Sequence, residues 1–197
     1  EQAQSWRRRL LNSVRNLSCF KAYDVRGKLG EEVNEDIAYR IGRATAQSLN
    51  SKTVAVGFDA RATSPDLARE VAKGICDAGA DVLDMGLAGT EEMYAAVTEF
   101  GACAGIEVTA SHNPINYNGM KIVKSQSRPL DDEGDFKVIK ALAGSQKWAN
   151  VFEPGKELYR SAEARKAYVD RVLSYVDVKA MRPLKIVVNS GNANAHT

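Results

Sequence analysis

The sequence predicts an α/β protein whose mainly parallel sheet is covered by helices on both faces. Two observations lead to this prediction. Between residues 34 and 111, short apolar segments of strand length alternate with longer segments whose apolar residues recur with helical periodicity. The connections are short, and residues typical of helix caps and turns mark many boundaries. Alternation of this kind is typical of a parallel sheet built from strand–helix–strand units.

The first half of the chain supplies these elements in order. Phe20–Gly27 reads as an extended segment, and Asn34 is suited to cap a helix that runs to Asn50. A second helix begins well at Ser64, because this residue provides a capping hydroxyl and Pro65 suits the first helical position. The remaining predictions here are strands over Thr53–Gly57, Asp81–Met85 and Gly105–Ser111, and helices over Ser64–Gly79 and Thr90–Gly101.

Two turn signals follow the strand that ends at Ser111. Asn113-Pro114 stops the strand, since proline fixes its own φ and disfavours the helical region for the residue before it. Asn118-Gly119 predicts a second turn, after which Met120–Val123 is rich in apolar residues. The later predictions are a helix that follows Asp131-Asp132-Glu133 and runs through Leu142, a helix over Ser161–Val176, a loop over Gly144–Pro154, and a buried strand over Leu184–Asn189.

The loop after the 105–111 strand carries residues that can perform chemistry. The strand has one apolar face and places Glu107, Thr109 and Ser111 on the other. Ser111 is a candidate nucleophile, His112 a candidate proton carrier, and Lys121 a fixed positive charge that suits phosphate. The alternative is a polar turn that exposes all three without function, which is the usual case for an isolated Ser-His pair.

Four segments reduce the weight of that alternative. They are Phe20–Gly27 (FKAYDVRG), Gly57–Arg61 (GFDAR) with Ser64-Pro65, Thr109–Pro114 (TASHNP) and Asn118–Lys121 (NGMK). In this order, they resemble the α-D-phosphohexomutases, the phosphomannomutase/phosphoglucomutase family. Residues 86–92 look most like bacterial phosphomannomutases of polysaccharide and GDP-mannose synthesis.

The resemblance implies roles for seven residues. Ser111 would be the phosphoserine of domain I, and its phosphate would be one ligand of a Mg²⁺ ion. His112 and Lys121 would assist proton transfer and charge neutralisation. Arg26 would steady the phosphoryl group. The last three would bind phosphate or shape the loop: Tyr23, Asn113 and Arg61. For Arg61, a purely structural pairing with Asp59 or Asp66 is at least as strong an expectation.

The implied activity is that of a phosphomannomutase. Mannose 6-phosphate and mannose 1-phosphate would interconvert through the phosphoserine and a hexose 1,6-bisphosphate, so hexose phosphates are the expected partners. Phosphoglucomutase-type specificity is the alternative within the family. A serine hydrolase is a weaker hypothesis, because neighbouring strand residues point apart and no Gly-x-Ser-x-Gly elbow is present.

The resemblance also divides the chain. Residues 1–17 are expected to be a basic extension outside the family pattern, 18–155 domain I with the reactive loop, and 156–197 a linker helix with a truncated start of domain II. The family's aspartate-rich metal loop has no counterpart here, so a weakly active, inactive or purely binding domain is expected. The unpaired strand after residue 183 is expected to promote self-association. His196, near the end of the chain, is assigned no function.

Composition excludes several other classes. Apolar residues make up 44% and charged residues 26% of the chain, as in globular proteins, and no apolar run reaches membrane-spanning length. The net charge is +2, of which the first 17 residues contribute +3, so the body is not expected to bind nucleic acid. Three cysteines without metal-binding spacing favour reduced thiols and a cytoplasmic location.

Overall fold

The computed structural model describes residues 17–189, which form one α/β unit. Within this range the strands are β1 (Val25–Lys28), β2 (Thr53–Phe58), β3 (Asp81–Leu87), β4 (Ala104–Val108), β5 (Tyr117–Lys124), β6 (Arg128–Pro129) and β7 (Glu157–Tyr159). The α-helices are α1 (Glu35–Ser48), α2 (Ser64–Asp77), α3 (Thr90–Glu99), α4 (Asp135–Ser145) and α5 (Ser161–Leu173).

The sheet is mixed, with a parallel centre and an antiparallel side. Its strand order is β1-β5-β4-β2-β3-β7, and β6 pairs with β5. Strands β4, β2, β3 and β7 run parallel, whereas β5 is antiparallel to β1, β4 and β6. Since β4 and β5 are consecutive in the chain, the loop between them lies at the carboxyl end of a central parallel strand, where ligands bind in open α/β sheets.

Helices cover both faces of the sheet, as predicted. Val54, Val56 and Ile106 point into a core with α1, α2 and α4. Ala55 and Leu83, which alternate with the first set along the strands, pack against α3 and α5 on the other side. Successive strand residues point to opposite faces of the sheet. Buried apolar residues at both odd and even positions along the strands therefore require a helix layer on each side. No helix among residues 17–189 is both long and apolar enough to cross a bilayer.

Caps and turns explain where several helices begin and end. The Asn34 side chain accepts a hydrogen bond of 2.9 Å from the Ile37 amide, as a capping residue does. Ser64, predicted to cap α2, instead lies inside the helix and donates its hydroxyl to Asp59. Helix α4 begins at Asp135, after the three acidic residues, because the Asp131 carboxylate accepts from the Glu133 and Gly134 amides and closes a turn before the helix.

Two sequence predictions are corrected by the structure. Asn118 and Gly119 do not form a turn; they lie inside β5 and pair with Gly27 and Arg26 of β1. Leu184–Asn189 is irregular and exposed, not a buried strand. The sheet continues past residue 155, since β7 pairs with β3 and α5 packs on the same unit. The division into domains at residue 155 stays a prediction.

Helices α1 and α2 cross so closely that glycine is required at the contact. An added Cβ on Gly74 would lie 2.1 Å from the Tyr39 carbonyl oxygen, and one on Gly42 would lie 2.3 Å from the Val71 carbonyl oxygen. Backbone atoms at these distances cannot move aside without separating the two helices. Gly144 in α4 is a matched helical glycine, where the nearest atom to an added Cβ is 3.7 Å away.

We therefore expect Gly74→Ala to lower the free energy of unfolding by about 2 kcal/mol or more through overpacking. Gly144→Ala should raise it by up to about 1 kcal/mol, because alanine favours the helix and meets no clash. Urea denaturation followed by circular dichroism measures both changes. Equal effects of the two substitutions would contradict the close crossing of α1 and α2.

Candidate functional site

Ser111 lies in the turn that joins β4 to β5. Ser111 and His112 are both exposed, and the serine Oγ is 3.3 Å from His112 Nδ1. The Ser111 backbone has φ of 51°, in the left-handed region that non-glycine residues seldom adopt. The strand that was predicted to run to Ser111 ends at Val108. Ser111 and His112 therefore lie in a turn, and their side chains contact each other. The expectation that they point apart is therefore wrong.

Arg61 holds this turn through backbone carbonyl groups. Its Nη1 donates to the carbonyls of Pro114 at 2.9 Å and Tyr117 at 3.3 Å, and its Nη2 donates to those of Ser111 at 3.1 Å and Asn113 at 2.5 Å. Its Nε lies 3.5 Å from Asp59 Oδ2. A guanidinium has five N–H donors on three nitrogens, and each nitrogen of Arg61 makes at least one of these contacts. The contacts are those of a loop-shaping residue.

The carboxylate of Asp59, just beyond β2, accepts hydrogen bonds from several donors around the turn. Its Oδ1 accepts from Ser64 Oγ at 2.5 Å and from the Arg61 amide at 3.1 Å, and its Oδ2 accepts from Thr109 Oγ1 at 2.8 Å. Thr109 Oγ1 in turn accepts from the Ser111 amide at 2.9 Å. The sequence drew attention to Asp59 only as a partner of Arg61, and nothing local to it could reveal Thr109, which is 50 residues away.

Asn118 is a second polar anchor that the sequence did not identify. Its buried side chain donates to Thr63 Oγ1 and to Ser64 Oγ, both at 3.0 Å, and accepts from the Gly119 amide at 2.8 Å. It thereby ties β5 to the start of α2. A buried amide side chain is expensive unless its groups are hydrogen-bonded, and these three bonds provide partners for both its oxygen and its nitrogen.

Arg26 reaches the same turn from β1. Its Nη1 donates to the Thr109 carbonyl at 2.7 Å, and its Nη2 pairs with Asp24 at 2.5 Å. The Asp24–Arg26 ion pair holds the guanidinium against the serine turn. Asn113 contributes through its backbone, since its amide donates to the Ala110 carbonyl at 3.0 Å and its carbonyl receives Arg61.

Lys121 lies on the α3 side of the sheet, in a cleft of about 470 Å³. Asp24, Ser127, Asp132 and the exposed Tyr23 also line this cleft. Neither Ser111 nor His112 does. Within residues 17–189 the Lys121 ammonium has no ion-pair partner and no hydrogen-bond acceptor. Tyr23 and Lys121 therefore share one cleft, while Arg26 and Arg61 contact backbone carbonyls of the serine turn and its approach.

The described residues do not form a magnesium site at the turn. A Mg²⁺ ion requires several oxygen ligands in octahedral geometry. No cluster of three or more histidine, cysteine, aspartate or glutamate side chains suited to a metal occurs in residues 17–189. The carboxylates of Asp24 and Asp59, which lie closest in this network, are already paired with Arg26 and with Ser64, Thr109 and Arg61.

The described residues supply one of the two contacts that a serine hydrolase site needs. A serine nucleophile needs a base within reach, and His112 supplies one. The base of such a site is normally oriented by a third group. Among the residues that the structure describes, no side chain is hydrogen-bonded to the other ring nitrogen of His112. The Ser-His pair alone is therefore not a hydrolase triad.

Glu107 is a buried acid on β4. It is 0% exposed, and neither carboxylate oxygen has a hydrogen-bond partner among residues 17–189. An added Cβ on Gly57, across the strand pair, would lie 2.5 Å from Glu107 Oε2, so this carboxyl fills the space that glycine leaves. Burial, followed by the nearby carboxylates of Asp59, Glu92 and Glu91, raises the pKa of Glu107 well above its usual value.

Comparisons with known proteins point to one family. Residues 18–148 match the family described as phosphoglucomutase/phosphomannomutase, alpha/beta/alpha domain I. A phosphomannomutase of Escherichia coli strain K12 is 50% identical over 182 residues, which are 92% of this chain and 40% of that protein. A Klebsiella pneumoniae phosphomannomutase is 50% identical over 154 residues, covering 78% of this chain and 98% of its relative.

A solved structure agrees with this match. A phosphoglucomutase/phosphomannomutase family protein from Burkholderia thailandensis superposes with a TM-score of 0.70 at 29% identity, over 81% of this chain and 36% of that one. The chain thus spans about 40% of the length of its Escherichia coli relative.

Glu107 makes the stability of the fold depend on pH. Its folded pKa is raised above that of the unfolded chain, so the folded state holds the proton more tightly. Its contribution is therefore fully present below about pH 4.3, the ordinary glutamate pKa. It is lost as pH rises towards the folded pKa, at up to about 1.4 kcal/mol per pH unit.

We expect Glu107→Gln to remove the loss of stability that Glu107 causes as pH rises. The stability of the variant relative to the wild type should increase by more than about 1 kcal/mol between pH 5 and pH 7.5. Urea denaturation at both pH values tests this, with Glu153→Gln at an exposed position as the control. A constant offset between Glu107→Gln and wild type at the two pH values would show that Glu107 is ionised in the folded protein.

Proposed function

The chain belongs to the phosphoglucomutase/phosphomannomutase family, and from that premise we propose that it carries the phosphoserine of a phosphomannomutase. The supporting observation is the exposed Ser111 in its left-handed turn, with Oγ 3.3 Å from His112 Nδ1. The turn is held by Arg61 and Asp59, so the hydroxyl is presented on a preorganised loop. Preorganisation of this kind lowers the cost of aligning a nucleophile with its substrate.

The proposed reaction transfers a phosphoryl group in both directions. Phosphorylated Ser111 gives its phosphoryl group to a hydroxyl of mannose 6-phosphate or mannose 1-phosphate, which forms mannose 1,6-bisphosphate. The bisphosphate turns over and returns its other phosphoryl group. In this second step the bond from phosphorus to the sugar oxygen breaks and the bond from phosphorus to Ser111 Oγ forms. The serine proton passes to the sugar oxygen, and His112 is placed to carry it.

Charge neutralisation falls to the cations beside the turn. A phosphoserine carries a charge of about −1.5 to −2 at neutral pH. Lys121 is available for a phosphate because no described residue pairs with its ammonium, and Tyr23 lines the same cleft. Arg26 donates an Nη1 hydrogen to the Thr109 carbonyl. Arg61 and Asn113 act on the loop itself, so we assign them to its shape and not to the phosphate.

Mannose specificity is proposed from the names of the relatives, and glucose phosphates are the alternative substrate within the family. We place the activity in the cytoplasm, in GDP-mannose synthesis, where Cys19, Cys76 and Cys103 would remain free thiols as they are here. The relatives' Mg²⁺ would bind the Ser111 phosphate, but its further ligands are not gathered at this turn in residues 17–189.

A second proposal is that this chain is a non-catalytic or weakly active domain. The observation that favours it is its coverage of 40% of the Escherichia coli relative. Phosphoryl transfer depends mainly on positioning and charge stabilisation. If part of that charge stabilisation comes from elsewhere, Ser111 accepts a phosphoryl group slowly and the 197-residue chain turns over little substrate.

We expect slow phosphorylation of the chain by mannose or glucose 1,6-bisphosphate, confined to Ser111 and absent in Ser111→Ala. Lys121→Ala should slow the uptake by about tenfold, the effect of losing roughly 1.4 kcal/mol of charge stabilisation. The exposed Lys137→Ala is the matched control and should react like the wild type. Phosphopeptide mapping and intact mass, followed over time, provide the measurements.

Two results would overturn these assignments. Phosphate on another residue would reject Ser111 as the acceptor. Rapid Mg²⁺-dependent mutase turnover by this chain, measured in a coupled assay, would reject the weakly active form. Competition between mannose and glucose phosphates in the same assay would decide the specificity.

We also propose that the apolar tail promotes self-association. Leu184, Ile186, Val187 and Val188 are all exposed. An exposed apolar segment of β-branched residues tends to pair with another chain. Sedimentation velocity should show a concentration-dependent increase in mass for the wild type and a monomer for the double variant Ile186→Lys, Val188→Lys. A wild-type monomer at all concentrations would reject this proposal.

A further inference from the structure

Thr109 links the anchored part of the site to the reactive serine. Its hydroxyl donates to Asp59 Oδ2 at 2.8 Å and accepts from the Ser111 amide at 2.9 Å. A hydroxyl has one proton, and a carboxylate paired with arginine can only accept. The proton must therefore point at Asp59, which leaves a hydroxyl lone pair directed at the Ser111 N–H. The direction of both hydrogen bonds is set by the chemistry of these three residues.

The Ser111 backbone requires such a partner. Its φ of 51° is unfavourable for a residue with a Cβ, and no regular ladder is available to its amide in the turn. A threonine hydroxyl that accepts from the amide two residues later closes a local turn of the kind that stabilises unusual backbone conformations. Without this bond, Ser111 can relax towards negative φ, which moves Oγ away from His112.

The backbone of Thr109 is held independently of its hydroxyl. Its carbonyl accepts from Arg26 Nη1 at 2.7 Å, and its amide donates to the Gly119 carbonyl at 3.0 Å. Thr109 is also buried, so water does not compete for its side chain. Removal of the hydroxyl alone thus leaves the strand pairing and the Arg26 contact in place and breaks only the connection between Asp59 and Ser111.

From this geometry we propose that Thr109, oriented by Asp59, is the positioning residue for Ser111. Its hydroxyl holds the serine backbone in the left-handed conformation that presents Oγ to His112. The consequence for phosphoryl transfer rests on the proposed function, whereas the backbone conformation does not. Neither residue contacts the reacting atoms, so both act through Ser111. Asp59 also binds Ser64 and Arg61, which makes Thr109 the cleaner position to test.

The experiment compares Thr109→Val, which keeps the shape and removes the hydroxyl, with Thr109→Ser, which keeps the hydroxyl. Amide proton chemical shift and hydrogen exchange of Ser111, measured by NMR on the 197-residue chain, report the hydrogen bond. We expect an upfield shift and faster exchange in Thr109→Val and wild-type behaviour in Thr109→Ser. Thr98→Val removes a threonine hydroxyl on α3 and should leave the Ser111 amide unchanged.

Phosphoryl uptake from mannose 1,6-bisphosphate supplies the second readout. Thr109→Val should lower the maximal rate by about tenfold or more, with the half-saturating concentration changed less than about twofold, as expected for lost alignment without lost binding. Thr109→Ser should recover the rate to within about threefold. A general loss of folding would also lower the maximal rate at an unchanged half-saturating concentration, so circular dichroism is recorded to show that Thr109→Val is folded. Rescue by serine then separates the hydroxyl from packing of the methyl group.

The outcomes are distinct. A Ser111 amide that is unchanged in Thr109→Val overturns the positioning proposal, as does a Thr109→Ser variant that behaves like Thr109→Val. If the wild-type chain takes up no phosphate on Ser111, the proposed function fails. The NMR comparison still decides whether Thr109 positions the serine.

Discussion

The carboxylate of Asp59 accepts hydrogen bonds from three different parts of the chain, and the geometry of the β4–β5 turn depends on them. Ser64 at the start of α2, the Arg61 amide in the preceding loop and Thr109 at the end of β4 all donate to it. The Arg61 guanidinium beside it offsets the negative charge and then satisfies carbonyls of the turn. Hydrogen bonds to charged groups are stronger than neutral ones, and a partly buried network of them favours a single arrangement.

Asp59 and Glu107 show how neighbouring acids at one sheet edge acquire different properties. Asp59 has several donors and an arginine, which compensate for its partial removal from water. Glu107 has no donor in the part of the chain that the structure describes, and it lies in the interior against Gly57. Burial without donors favours the neutral acid, whereas hydrogen bonds to the charged form favour the carboxylate. Burial, followed by the charge of the nearby Asp59, raises the pKa of Glu107.

The groups around Ser111 separate into a rigid base and an open side. Arg26 and Arg61 are committed to backbone carbonyls and to Asp24 and Asp59, so they preserve the shape of the turn. Lys121 and Tyr23 instead line the cleft on the α3 side of the sheet. The arrangement thus combines a hydroxyl on a firmly hydrogen-bonded turn with an ammonium group that makes no ion pair among the described residues.

Periodicity, caps and motif spacing are local properties, and they were sufficient to predict the alternating strands and helices, the two helix layers and a loop at Ser111 after a central strand. The tertiary structure decided what depends on residues far apart in the chain. Asn118-Gly119 reads locally as a turn, yet pairing with β1 makes it a strand. Arg61 finds its carbonyl partners 50 to 56 residues away, and Thr109 finds Asp59 across 50. Glu107 reads as a polar strand residue, and only the packing of Gly57 and the start of α3 around it makes it a buried acid. Hydrogen-bond direction, burial and ionisation are set by neighbours in space, and a linear pattern does not contain them.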